Sequence, residues 1–69
     1  MNKNEVLSTL SYLSKKYLSQ ADNEVLQQKI ANPDKATAKF FLAELTLKTL
    51  KPFSDDDLEK LQDIDYYGL

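Results

Sequence analysis

Six acids crowd into the last sixteen residues of the chain: Asp55, Asp56, Asp57, Glu59, Asp63 and Asp65. Carboxylates at this spacing could do three kinds of work. A pair on one helix face, such as Asp56 with Glu59 or Glu59 with Asp63, has the composition of a general acid and base. Such a pair needs a cleft to move its pKa values apart, and a chain of 69 residues leaves little room for one. Asp55, Asp57 and Glu59 alternate like the start of a calcium loop, but the glycine of the sharp turn is missing and the later ligands do not follow. The third use is structural: acids at a helix start complement its positive end.

The rest of the side-chain inventory narrows the chemistry further. There is no His, Cys, Trp or Arg, and the only glycine is Gly68. General base or nucleophile duty would fall to Asp, Glu, Lys, Tyr or Ser. Zinc favours thiolate and imidazole, so a zinc site is not expected. No glycine-rich loop can cradle a phosphate. We therefore assign no catalytic, metal or cofactor-binding residue and expect no cofactor.

The lysines allow one other reading. The segments on either side of Asn32-Pro33-Asp34 can be drawn as a helix-turn-helix, with Lys35, Thr37 and Lys39 opening a recognition helix. Arginine, the commonest reader of guanine, is absent. Phe40, Phe41 and Leu42 crowd the face that would enter the groove, and the net charge is −2. DNA binding is thus the alternative, and nucleic acid is not the expected partner.

These side chains must be positioned by helices. Val6, Leu10, Leu13 and Tyr17 recur at helical spacing, which predicts a first helix over about Asn4–Ser19 with Asn2 or Asn4 as its cap. A second is expected over Asn23–Ala31, capped by Asp22 or Asn23. A third should start at Asn32-Pro33, with Asp34 as an alternative cap, and stop near Leu50 before Pro52. The fourth has the clearest start. Ser54 caps it, Asp57 takes the third helical position, and Phe53 with Leu58 makes a hydrophobic staple. Leu58, Leu61 and Ile64 form its expected buried stripe, and Gly68 its stop. No strand pattern or hairpin turn is present. The expected fold is all-α, one domain over residues 1–69, a compact bundle of three to four short helices with the third helix at its centre.

That third helix is apolar on too many sides. Ala36, Phe40, Ala43, Leu47 and Leu50 fall within roughly an 80° arc, an ordinary core stripe. Phe41 and Leu45 lie on nearly the opposite face. Small chains without disulfides or metals are often braced by a partner subunit. Phe41 and Leu45, with Tyr12, are therefore expected to form one partner surface. The other is the acidic end: residues 54–69 carry six acids against Lys60, while residues 1–53 carry eight Lys against five acids. There Asp63, Asp65, Tyr66 and Tyr67 would dock a protein.

The expected function is a non-catalytic protein-protein interaction module, a small regulator or inhibitor of a larger partner or a self-associating homo-oligomer. No apolar run reaches the ~18 residues of a membrane span, and no charged start and apolar run of a signal peptide is seen. The expected location is cytoplasmic.

Overall fold

The computed structural model describes residues 2–33 and 36–68. It contains four helices in the order α1 (Lys3–Tyr17), α2 (Gln20–Ala31), α3 (Ala38–Lys48) and α4 (Asp55–Tyr67), with no strand among the described residues. The all-α bundle is as the periodicity predicted.

α1 is a regular amphipathic helix. The Asn2 side chain accepts from the Glu5 amide and satisfies one of the free donors at its start. Val6, Leu10, Leu13 and Tyr17 are all buried, the stripe read from the sequence. The helix ends at Leu18, in extended backbone, whose amide still reaches the Ser14 carbonyl. Ser19 then opens α2, its hydroxyl accepting from the Asp22 amide. α2 thus starts at Gln20, three residues before the expected Asn23. Asp22 and Asn23 are good caps by type, but Ser19 stands two residues past the end of α1 and captures the role first.

α1, not α3, is the centre of the bundle. It packs against α2, α3 and α4, and α3 also packs against α4. The core joins the α1 stripe to Leu18, Leu26, Phe41, Leu45 and Ile64. α3 is also shorter than expected. Thr37 caps it by accepting from the Phe40 amide, while the Pro33 carbonyl accepts from the Ala36 amide at 3.1 Å, ahead of the helix. The alternative cap Asp34 lies outside the described residues.

The two faces of α3 are exchanged relative to the sequence reading. Phe41 and Leu45 are fully buried, whereas Phe40, Leu47 and Leu50 are exposed. The expected partner surface at Phe41 and Leu45 is therefore core, and most of the expected core stripe is surface. Both stripes have helical spacing, so the choice between them is made by where the connections place the helix. One such tie is visible: the Leu50 amide donates to the Tyr17 carbonyl at 2.8 Å, pinning the end of α3 to the end of α1.

α4 follows its start and stop signals. Ser54 accepts from the Asp57 amide, and Gly68 closes the helix. The Gly68 amide bonds to the Ile64 carbonyl, and its φ of 69° is one that side chains other than glycine rarely adopt. The buried stripe differs from expectation at one position. Ile64 is buried and Leu61 packs on the core, but Leu58 is exposed and Asp57 is buried instead.

Candidate functional site

A buried carboxylate on a short bundle is costly unless fully partnered, so Asp57 is the first place to look for function. It is only 1% exposed. The Lys16 ammonium donates to Oδ2 at 2.8 Å, and the Tyr17 hydroxyl donates to the same oxygen. The Tyr12 hydroxyl donates to Oδ1 at 3.1 Å, and the Lys60 ammonium stands 3.6 Å from Oδ1. The hydroxyls are themselves satisfied: Tyr17 accepts from the Ser54 amide at 3.1 Å, and Tyr12 accepts from Lys16 at 3.0 Å.

The spacing of α1 builds this cluster. Tyr12 and Lys16 are one turn apart, and Tyr17 follows on the buried side. Lys16 lies 5.4 Å from the centres of both tyrosine rings, and Lys51 lies 5.4 Å from that of Tyr17. Phe53 packs on the Tyr17 ring with centroids 4.4 Å apart. Lys16 and then Tyr17 hold the Asp57 carboxyl well below the usual carboxylate range, overcoming the opposite effect of burial. Asp57 in turn pushes the Lys16 ammonium well above the usual lysine value. A carboxylate held ionised with every oxygen occupied is a weak base. Its geometry is that of a tie between α1 and α4.

A second polar set joins α1 to α2. Buried Ser14 donates to Asn23 Oδ1 at 2.8 Å, and Gln27 donates to the same oxygen at 3.0 Å. Ser11 donates to Gln27 Oε1 at 2.9 Å, and Gln27 returns a bond to the Ser11 carbonyl at 3.1 Å. Asn23, expected as a cap, is a bridge. Among the described residues no buried side-chain polar atom is left without a partner.

The remaining expected site residues fall into two groups. Tyr12 is 43% exposed, but its hydroxyl belongs to the Asp57 cluster rather than to a patch with Phe41 and Leu45. Asp63 and Asp65 are exposed on α4. Tyr66 and Tyr67 are 83% and 56% exposed and meet edge to face at 5.0 Å. Lys39 is exposed near the start of α3, and Lys35 lies outside the described residues.

The residues missed from sequence are those on the outer face of α3 and just past its end. On α3 Leu47 is 80% exposed, with Phe40 and Ala43 also facing solvent, and Leu50, two residues beyond the helix, is 71% exposed. Asp57 was missed in a different way. It reads as one more acid at a helix start, and only the i, i+4, i+5 set of Tyr12, Lys16 and Tyr17 hints at a polar site on α1. One depression of about 300 Å³ is lined by Gln28, Lys29, Asn32 and Ala36, away from both faces. Among the described residues no group of His, Cys, Asp or Glu could hold a metal ion, and no helix is long and apolar enough to cross a membrane.

No family model matches the chain, and no curated protein or solved structure does either.

Proposed function

We propose that the chain is a non-catalytic protein-protein interaction module, acting as a small regulator or as a self-associating helical protein. The observation that carries this reading is the outward pair Leu47 and Leu50, both more than two-thirds exposed on a chain with few apolar residues to spare. Contiguous exposed apolar surface on a small domain marks a binding face more often than chance. Phe40 and Ala43 extend the strip along α3. Tyr66 and Tyr67, with Asp63 and Asp65, supply a second face of the composition that interfaces favour. The Asp57 cluster serves this function indirectly, by holding α4 in place.

The reading is tested with a photoactivatable side chain placed at Leu47 and, as control, at exposed Ser8 on α1. Illumination in the source cell should give a discrete adduct from position 47 and none from position 8. Equal or no labelling at the two positions would contradict it.

A further inference from the structure

The apolar strip on α3 carries a cation at its start. Lys39 is exposed there and makes no ion pair among the described residues, whereas Lys51, just past the helix end, lies over the Tyr17 ring. Lys48 is turned instead onto Glu44 at 2.8 Å. α4 has the opposite character. Asp55, Asp56, Glu59, Asp63 and Asp65 are exposed and unpaired among the described residues, while Lys60 is drawn inward to Asp57. Leu58, Tyr66 and Tyr67 add apolar surface between these acids. A basic-edged apolar helix and an acidic, tyrosine-bearing helix therefore lie side by side, since α3 packs against α4.

From this we infer that the occupant of the α3 face is the α4 face of a second copy of the chain, in a two-fold dimer. The inference rests on the interaction-module reading and names its partner. A two-fold axis along the seam between the helices lays α3 on the partner's α4 and α4 on the partner's α3. Both faces are then used twice and the assembly closes at two copies. Area points the same way. A stable interface buries about 800 Å² per partner, roughly a sixth of the 4618 Å² of this surface. The two large exposed apolar side chains of α3, Phe40 and Leu47, cannot supply that alone, so the face of α4 is needed as well. Like charges would oppose an α4-on-α4 pairing.

Sedimentation equilibrium of the purified chain tests the inference. The mass should rise with concentration from 7.9 kDa to twice that value. Leu47→Lys with Leu50→Lys should weaken association at least about 100-fold, as should Asp63→Lys with Asp65→Lys. Raising sodium chloride from about 0.1 M to about 1 M, which shortens the screening length from about 10 Å to about 3 Å, should weaken it about tenfold. A chain that stays at 7.9 kDa at millimolar concentration overturns the inference. So does a dimer indifferent to salt and to the α4 charge reversal, which would be an α3-on-α3 pairing. If the chain is monomeric but position 47 still labels a different protein in the cell, the dimer falls and the interaction-module reading stands.

Discussion

At the scale of single residues the molecule turns on Asp57. Four side chains from two helices converge on one buried carboxylate, so its charge is part of the fold. Replacing it removes the acceptor of two hydroxyls and the Lys16 ammonium, and the ion-pair partner of Lys60. Asp57→Asn keeps the shape and loses the charge; we expect a cost of about 3 kcal/mol, read from urea denaturation. The same group sets an acid limit. In the unfolded chain Asp57 takes up its proton near 3.8, and in the fold only well below that. Between those values unfolding binds a proton, so stability falls as the pH drops. The contribution is complete above about pH 5 and declines below it. A stability-pH series should show this decline in the parent and a shallower one in Asp57→Asn.

At the scale of elements, the helix ends were the most legible part of the sequence. Ser54 and Gly68 bound α4 as their types predict, because a cap hydroxyl and a left-handed glycine act locally. Asn2 does the same for α1. Ser19 was overlooked since stronger-looking caps follow it. Ser19→Ala should cost about 1 kcal/mol, whereas Asp22→Ala should cost less, in the same denaturation assay. The faces of α3 were not legible. Phe41 with Leu45 and Phe40 with Leu47 are both sound helical stripes, and the decision between them depends on contacts with α1 and on the Leu50–Tyr17 backbone bond. The exchange is checked directly by substitution. Phe41→Ala should cost about 3–5 kcal/mol, while Leu47→Lys should change monomer stability by no more than about 0.5 kcal/mol. Of the expected surface residues, only those on α4 and the Tyr12 ring remain at the surface, for the same reason.

At the scale of the whole molecule, the chain is as tight as its length allows. Its radius of gyration is 10.8 Å, against about 11 Å for a compact domain of this size. The small core is extended by two polar ties, Asp57 between α1 and α4 and the Ser14–Asn23–Gln27 set between α1 and α2. Even so, the outer faces of α3 and α4 leave apolar side chains in water on a chain that has no cysteine for a disulfide. Covering them with a second copy would stabilise the fold by mass action, and the midpoint of thermal unfolding should then rise with protein concentration. The exposed leucines themselves could not be read from the sequence, because the pattern assigned them to the core.

The arrangement of the two copies is open to a direct measurement. The chain has no cysteine, so Leu47→Cys gives a single thiol for a nitroxide spin label. Mixing this unlabelled-isotope copy with a nitrogen-15 copy of the parent chain reports only contacts between molecules. In the proposed dimer, amide signals of the isotopic copy broaden most along Leu58–Tyr66 of α4. Broadening centred on α3, or none at any concentration, would contradict it.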